Sequence, residues 1–286
     1  MILENTSPVP VRKAAELVGV SKSGYYGWLT RKDIPQKEKD EKILCEIRKI
    51  IAYFAGYGYR RVTKELQKRG YPVNHKRVSR LMRENNLIRR RKRYRPRTTD
   101  SDHEHKRYPN LILDLEIDRP NQVWASDITY IALANETVYL AAIVDLFTRR
   151  CLGWKLGRGL DTGLAMDALR TALMARDGDD ISGLIHHSDQ GVQYASDEYV
   201  ECLKAHRIQI SMSRTGNPYD NAYAESFFKT LKAEEVYMNE YKTFGDALEN
   251  IGRFIDEVYN EKRMHSALGY LSPMEFEQEV ALNTSS

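Results

Sequence analysis

The chain has 286 residues, enough for about two domains, and its 42% hydrophobic and 29% charged content is ordinary for a globular protein. The net charge of +4 conceals an asymmetry, because residues 1–110 hold 28 Lys and Arg against 12 Asp and Glu, whereas residues 111–286 hold 16 against 28. This pattern favours a polyanion bound by the basic part. It argues against a membrane span, because the longest apolar run covers only residues 138–144, and against a disulfide framework, because the three cysteines are far apart.

The first predicted unit, residues 1–36, reads as two short helices around a turn. Residues 11–18 form the first helix, and Ser21 caps a second helix that ends at Trp28. This is the outline of a helix-turn-helix. DNA contact and a plain helical hairpin both remain open interpretations of it. A break in the pattern at Ile34 predicts a linker.

The second predicted unit, residues 40–93, holds helices at 42–53, 61–68 and 75–85, with Asn74 capping the third. A helix, a short turn and a basic helix form the geometry that enters a DNA major groove. The alternative is a three-helix bundle with an ordinary solvated face. The basic side chains predicted on the outside are Arg60, Arg61, Lys64, Lys76, Arg77, Arg80 and Arg83, and all but the last are predicted DNA contacts.

A basic run follows, in which seven of the nine residues 89–97 are Arg or Lys. Because this run lies between two predicted folded units, we expect it to follow phosphates or a minor groove rather than form a loose tail. The predicted contacts are Arg89, Arg90, Arg91, Lys92, Arg93 and Arg95. Residues 98–117 are predicted to continue the run as a polar connector.

From residue 121 the pattern changes to strands. Three of them form a predicted antiparallel meander, and helices then alternate with two further strands. This order predicts an α/β core with a mixed five-stranded sheet and ribonuclease-H-like topology. The predicted strands are 123–131, 137–147, 151–156, 183–187 and 208–212, and the predicted helices are one capped by Asp161, one at 196–205 and one at 244–259.

Three acidic residues lie within these predicted elements or directly next to them. Asp127 lies within the first strand, Asp189 follows the fourth strand, and Glu225 lies in the first turns of a helix capped by Asp220 or Asn221. An ionised carboxylate without a partner is costly to bury. A pair of divalent cations explains all three, because Mg²⁺ prefers oxygen ligands and two such ions activate phosphodiester chemistry.

Other residues compete for the same roles. Asp145 is predicted to cap a turn with a salt bridge to Arg149 or Arg150, and Glu234 and Glu235 are predicted to face solvent. His186 and His187 are adjacent strand residues, so at most one of them can face the site. Lys229 and Lys232 follow Glu225 at helical spacing, where they either form a routine ion pair or hold DNA phosphate. The second reading is favoured for both, more strongly for Lys232, so both are predicted DNA contacts.

Several motifs resemble one family. Residues 124–130 (WASDITY), 187–194 (HSDQGVQY) and 216–228 (GNPYDNAYAESFF) are similar to the integrase core of bacterial insertion-sequence transposases. The similarity is to the insertion sequence three family, specifically its second reading-frame product. It extends to residues 19–26, 57–62, 76–82 and 259–276, and so covers nearly the whole chain.

The resemblance implies that Asp127, Asp189 and Glu225 form a DDE triad, with Lys232 as the basic position after it. It implies Mg²⁺ or Mn²⁺, cleavage at element ends to free 3′-hydroxyls, and strand transfer by those hydroxyls. It also implies a homo-oligomer on paired DNA ends in the bacterial cytoplasm, with OrfA, the product of the upstream reading frame, as a further partner. No zinc is expected, because His103 and His105 have no cysteine partners.

The expected organisation has five parts. They are a helix-turn-helix-like segment at 1–36, a helical DNA-binding domain at 40–93, a basic and polar linker at 94–117, the catalytic core at 118–240 and a helical extension at 241–286. The favoured hypothesis is a DDE transposase. The alternatives are a catalytically inactive DNA-binding regulator derived from a transposase and a nuclease of ribonuclease H type.

Overall fold

The computed structural model describes residues 11–21, 23–24, 26, 34–88, 106–214 and 222–284. The basic run at 89–97 lies outside the described residues, and with it the predicted contacts Arg89, Arg90, Arg91, Lys92, Arg93 and Arg95. The predicted caps Asp220 and Asn221 lie outside them as well. In the part that is described, none of the helices combines the length and apolar character that a bilayer crossing requires.

The amino-terminal prediction is confirmed in its first helix and wrong in its linker. Helix α1 is Val11–Val18, and Gly24 N donates to Ser21 Oγ at 3.0 Å, as expected of a cap. Helix α2, however, spans Ile34–Tyr53, so the chain is already helical where a linker was predicted. Pro35 is tolerated there because the first turn of a helix has no intrahelical partner for its backbone N–H groups.

The helical domain consists of α2, α3 (Tyr59–Lys68) and α4 (His75–Glu84) around one apolar cluster. The α4 cap is confirmed, since Asn74 Oδ1 accepts from Lys76 N at 2.8 Å and from Arg77 N at 3.1 Å. The buried residues of this cluster recur at helical spacing and form the apolar core of the domain; they include Ile47, Ile50, Val62, Leu66, Val78 and Leu81.

The core contains the predicted mixed five-stranded sheet, in the order β3-β2-β1-β4-β5. The first three strands form the antiparallel meander, while β4 pairs with β1 and β5 pairs with β4 in parallel. The strands are β1 (Val123–Ala132), β2 (Thr137–Asp145), β3 (Cys151–Gly157), β4 (Ile185–Ser188) and β5 (Gln209–Met212).

Helices cover both faces of the sheet. On one face α5 (Thr162–Met174), α6 (Val192–Ala195) and α7 (Asp197–Ala205) bury Trp124 and Leu169. On the other face α8 (Ala222–Glu234) and α9 (Phe244–Arg253) pack on even-numbered residues of β2. Alternation of strand side chains assigns each β1 residue to one of these two faces.

The carboxyl-terminal part continues α9 as a π-helical stretch, Phe254–Asn260, and ends in α10, Pro273–Thr284. The predicted helix at 244–259 is therefore confirmed, whereas α10 was not predicted. Asn260 fixes this part to the sheet, because its Oδ1 accepts from Cys151 N and its Nδ2 donates to Cys151 O, both at 2.9 Å.

The predicted polar connector needs a correction over its described part. Residues 106–117 lie on the core, where Ile112, Leu115 and Ile117 pack against the apolar cluster of Val123 and Leu146. Met212 N also donates to Pro109 O at 3.3 Å. Leu111, Leu113, Leu115 and Ile117 alternate as they would in a strand, yet this stretch forms no strand. Ile112, Leu115 and Ile117 cover part of the core, whereas Leu111 and Leu113 stay exposed.

Candidate active site

Strand pairing places Asp127 and Asp189 side by side. β1 and β4 run in parallel, with Ala125 opposite His187. Asp127 follows Ala125 by two residues, and Asp189 follows His187 by two residues. Two residues along a strand return a side chain to the same face. The two carboxylates therefore leave the sheet at the same level. Asp189 lies at the carboxyl end of β4, where open α/β sheets present ligands, and Asp127 lies beside it within β1.

Helix α8 brings Glu225 to the same place. Ala224 is buried in a cluster with Ala125, which shares its face of β1 with Asp127, so the first turn of α8 crosses the sheet at the two aspartates. Phe227, Phe228 and Leu231 fix the helix there by packing into the core. The amino-terminal end of a helix favours a negative charge, which suits Glu225.

The electrostatics of Asp127 show that the three acids approach one another. Burial, the largest cause, and the charges of Asp189 and Glu225 together raise the pKa of Asp127 from 3.8 to about 8. A hydrogen bond from Ile128 N and the charge of Lys232 act in the opposite direction. A strongly raised carboxyl pKa caused by burial and neighbouring acids is typical of a functional site.

We expect the metal-free protein to lose stability as pH rises. Between pH 3.8 and about 8 the folded state holds a proton on Asp127 that the unfolded chain has released, so this contribution is present at low pH and lost through pH 8. In EDTA, the thermal midpoint of the wild type should fall by about 4 °C or more relative to Asp127→Asn, which does not titrate. Scanning fluorimetry across this window measures both proteins, and parallel pH profiles would contradict the expectation.

Each of the three carboxylates has a local partner. Asp127 Oδ1 accepts from Ile128 N at 2.8 Å, Asp189 Oδ1 accepts from Gly191 N at 2.9 Å, and Glu225 Oε2 pairs with Lys229 Nζ at 2.7 Å. Within the described ranges, no three His, Cys, Asp or Glu side chains already stand together as a metal-ligand set. The donors nonetheless suit Mg²⁺, which prefers carboxylate oxygens, and a divalent cation would offset the mutual repulsion that raises the pKa of Asp127.

The structure separates the two lysines of α8. Lys232 is half-buried with its Nζ 4.5 Å from the ring centroid of Tyr130, and it interacts with Asp127. Burial lowers the pKa of Lys232, while Asp127 acts to raise it. Lys229 is 74% exposed and forms the helix ion pair with Glu225. Lys232 therefore lies beside Asp127, whereas Lys229 reaches the site only through its exposed pair with Glu225, and its contact with DNA stays a prediction.

The two histidines are core residues. His186 Nε2 lies 2.9 Å from Tyr199 Oη, and burial lowers the pKa of His186 to about 3. His187 lies on the other face, 2.8 Å from Ser211 Oγ and 3.1 Å from Ser213 Oγ. Both imidazole rings are thus hydrogen-bonded to other side chains of the fold, and His187 is the one on the sheet face of Asp127.

Asp145 is a structural cap, as predicted, but its salt bridge was wrongly predicted. Its Oδ1 accepts from Phe147 N and Thr148 N, and its Oδ2 accepts from Asn121 N at 2.7 Å. Arg150 instead pairs with Glu277 of α10 at 2.5 Å. The carboxylate is fully buried under its turn, where backbone N–H groups reach it.

The expectation that Glu234 and Glu235 face solvent is wrong. The Glu234 side chain is 7% exposed and is bonded by Arg263, and Glu235 Oε1 accepts from Tyr241 Oη at 3.0 Å. Sequence reasoning also missed Arg263, which lies in a polar stretch after the π-helical segment. The one indication in the sequence was that two acids lie next to the apolar face of a helix. Helical periodicity alone does not show whether such acids are buried or solvated.

The basic residues of the helical domain have different environments. Arg60, Lys64 and Lys76 are exposed. Arg77 and Arg80 both bond the carboxylate of Asp40, and although burial acts to raise the pKa of Asp40, these bonds lower it.

Arg61 is 25% exposed and lies beside Glu234, so the prediction that it lies on the outside is wrong. The guanidinium of Arg61 lies on the face of α3 that is directed toward Glu234 of α8, not on the solvated face.

A groove of about 640 Å³ lies beside the start of α8. Sequence reasoning did not find it, because its residues come from distant segments. Arg149 stacks on Tyr223 with its guanidinium carbon 4.0 Å from the ring centroid, and Arg214 is the second basic residue of the lining. Among its described lining residues there is no acid, although this half of the chain is acidic overall.

Comparisons with known proteins define the class. A family profile described as Integrase core domain matches residues 117–218, a second of the same description matches 206–273, and an HTH-like domain profile matches 37–95. Similar solved structures include a simian T-cell lymphotropic virus intasome (16% identity, TM-score 0.46, 81% of this chain and 74% of that one) and the catalytic core of BIV integrase (16%, 0.44, 58% and 99%). The protein is an integrase-core protein with an HTH-like domain before the core.

The relatives define the family. The chain is 40% identical over 250 residues to the transposase of insertion sequence IS904 from Lactococcus lactis, covering 85% of this chain and 97% of that one. It is 33% identical over 273 residues to transposase InsF of IS3 from Escherichia coli, covering 94% of each. The chain belongs to the IS3 family of insertion-sequence transposases, as the resemblance indicated.

Proposed function

We propose that this transposase binds the ends of its insertion sequence and catalyses metal-dependent strand cleavage and strand transfer, with Asp127, Asp189 and Glu225 as the metal-holding triad. The observation that carries the proposal is the convergence of the three acids: the pairing of β1 with β4 places Asp127 beside Asp189, and the packing of Ala224 against Ala125 brings the first turn of α8, with Glu225, to the same place. The raised pKa of Asp127, to which both neighbouring acids contribute, agrees with this geometry. Three mutually repelling carboxylates at one point of a fold need a compensating cation.

The residues divide the chemistry between them. Bound Mg²⁺ or Mn²⁺, two ions in this proposal, supplies activation of the attacking oxygen and charge for the leaving oxygen. Asp127 and Asp189 hold their carboxylates at one level of the sheet, and Glu225 approaches from α8. Water attacks the phosphodiester at the element end and frees a 3′-hydroxyl, which then attacks a phosphodiester of the target DNA. Both steps exchange one P–O bond for another and need no external energy source.

Lys232 is placed to orient the reacting phosphate. Its ammonium lies near Asp127 and over the ring of Tyr130, where partial burial strengthens its attraction for an anion. The acid-free groove with Arg149 and Arg214 begins two residues before Glu225, at Tyr223, and offers a basic surface beside the site. DNA held by the helical domain would extend along these cationic groups, and a homo-oligomer, with OrfA as an additional subunit, would hold the paired ends.

We expect Lys232→Met to lower cleavage by about 10²-fold, because one preorganised charge at the reacting phosphate is removed. Lys229→Met is the matched control, since Lys229 lies one turn earlier on the same helix but forms an exposed pair with Glu225. It should stay within about threefold of the wild type. Initial rates on a labelled DNA end measure both, and equal losses in the two variants would contradict the assignment.

The proposal as a whole is tested with a labelled element end, Mg²⁺ and the purified protein. A 3′-hydroxyl product at the end of the element, formed with Mg²⁺ or Mn²⁺ and absent in EDTA, is the expected result. Its later appearance joined to a target duplex would show strand transfer. Specific binding of the end without any cleavage would instead favour the inactive DNA-binding regulator.

A further inference from the structure

Buried charges join the far end of the Glu225 helix to the helical domain. Glu234, the last residue of α8, accepts from Arg263 Nε at 2.7 Å and from Arg263 Nη2 at 2.8 Å, and the Arg263 side chain is 3% exposed. Arg61 of α3 adds a third charge, with its Nη1 3.9 Å from Glu234 Oε1. A bidentate carboxylate–guanidinium pair has a narrow geometry, so Glu234 holds its partners at a defined position.

The loop between α2 and α3 is shaped around Glu234. A Cβ added at Gly56 would overlap the Cγ and Cδ of Glu234, so a residue without a side chain is needed there. Beside it, Tyr57 Oη accepts from Met264 N at 2.8 Å, and the Met264 side chain is buried in the apolar cluster of the helical domain. The helical domain and the core therefore share packed residues rather than a solvated gap.

The charges of this network depend on one another. Burial lowers the pKa of Arg61, and Arg263 lowers it further, whereas Glu234 acts to raise it. Burial lowers the pKa of His265 to about 2, which keeps its ring neutral beside Arg263. Without the negative charge of Glu234, the buried guanidinium of Arg263 and the partly buried one of Arg61 would lose the carboxylate between them, and breaking a buried pair in this way is strongly unfavourable.

Two further contacts at the edge of the network also join α3 to the carboxyl-terminal part of the chain. Lys64 Nζ lies 5.4 Å from the ring centroid of Tyr270, and Lys68 pairs with Glu275 at 2.7 Å. With Arg61, these are three residues of one face of α3 directed at the carboxyl-terminal part of the chain. On α4, Lys76 stays exposed, so DNA can reach the domain from its α4 side while α3 holds the core.

We propose that Glu234 is a positioning residue: it fixes the helical domain relative to the active site on the same chain, so that the domain selects which phosphodiester is cut. Glu225 and Glu234 are the two ends of one helix, nine residues or about 13 Å apart, with no linker between them. DNA held by the helical domain is thereby kept at a constant distance from Glu225. The inference rests on the proposed function.

The test compares the cut position in two neighbouring variants. Glu234→Gln removes the charge that faces both arginines, whereas Glu235→Gln is the matched control, because Glu235 bonds Tyr241 and Asn239 within the core. Misplacement by about 1 Å can cost about 10²-fold in rate, so cleavage at the wild-type position should fall by about 10- to 100-fold in Glu234→Gln. New products at neighbouring phosphodiesters should appear, resolved at single nucleotides, while Glu235→Gln keeps one cut position.

A second variant covers the case in which Glu234→Gln does not fold. Gly56→Ala keeps every charge and displaces Glu234 by the added methyl group, so it should also spread the cuts. Loss of stability alone lowers the amount of product but does not move the cut. A single cut position in the folded variants overturns this inference while leaving the proposed function intact, and a wild-type protein that cuts no DNA overturns both.

Discussion

Asp127→Asn should abolish strand cleavage, by about 10³-fold or more, and leave the binding of element ends within about threefold of the wild type. Asparagine keeps the shape of the side chain and can still accept from Ile128 N, but it lacks the charge that a shared divalent cation needs. It also removes the carboxyl whose ionisation burial opposes, so the variant should fold at least as well as the wild type in EDTA. Cleavage and anisotropy binding assays on one labelled end measure both quantities.

A control separates the metal role from general damage to the sheet. Asp161→Asn changes another aspartate of the core, the cap of α5, whose Oδ1 accepts from Leu164 N at 2.9 Å. Asparagine caps helices about as well as aspartate, so cleavage should stay within about twofold of the wild type. Persistent cleavage by Asp127→Asn would remove Asp127 from the proposed metal site.

Binding to DNA should weaken steeply with salt, by about 10³-fold or more between about 50 and 200 mM, if six or more phosphates are contacted. The reason is the charge of residues 1–110, which hold 28 Lys and Arg against 12 Asp and Glu, because each neutralised phosphate releases counterions. Fluorescence anisotropy over a salt series gives the slope. A flat response would contradict a phosphate-binding role for this part of the chain.

Two single-residue variants of α4, one at an exposed position and one at a paired position, refine the measurement of the salt slope. Lys76→Ala should reduce the salt slope by about one, because Lys76 is an exposed residue of α4. Arg77→Ala, one residue on, should change the slope less, because Arg77 already bonds Asp40 within the domain. Equal changes in the two variants would indicate that DNA draws Arg77 away from Asp40.

The strand pattern of the core was predictable because its signals are local. An aspartate inside the apolar run of β1 stands out against its neighbours, and the alternation of helices and strands after the three-stranded meander indicates a mixed sheet. The predicted site residues Asp127, Asp189 and Glu225 come together for the same reason, since each lies at a defined point of a regular element. Their role as metal ligands stays a prediction.

The contacts between distant segments could not be predicted in the same way. Glu234 lies on a helix edge that periodicity assigns to solvent, and only the approach of Arg263 and Arg61 from other parts of the chain makes it buried. Likewise α10 has no clear apolar stripe, and its place is shown by the pairing of Glu277 with Arg150 and Arg176. Tertiary packing, not local propensity, determines these features.

Pro35 and the 106–117 segment show a further limit. A proline in an otherwise polar stretch indicates a break, yet it is equally compatible with the first turn of α2, and the sequence does not distinguish the two. Apolar residues at 111, 113, 115 and 117 alternate as they would in a strand, but the segment forms no strand, and Ile112, Leu115 and Ile117 instead pack on the core.

The convergence of three acids on a divalent cation is tested most directly by Mn²⁺ binding, followed by electron paramagnetic resonance of the free ion. Wild-type protein should remove the free-ion signal, and Asp127→Asn and Glu225→Gln should each weaken binding by about tenfold or more. Asp161→Asn should bind like the wild type. Identical Mn²⁺ titrations for all four proteins would contradict a cation held between Asp127, Asp189 and Glu225.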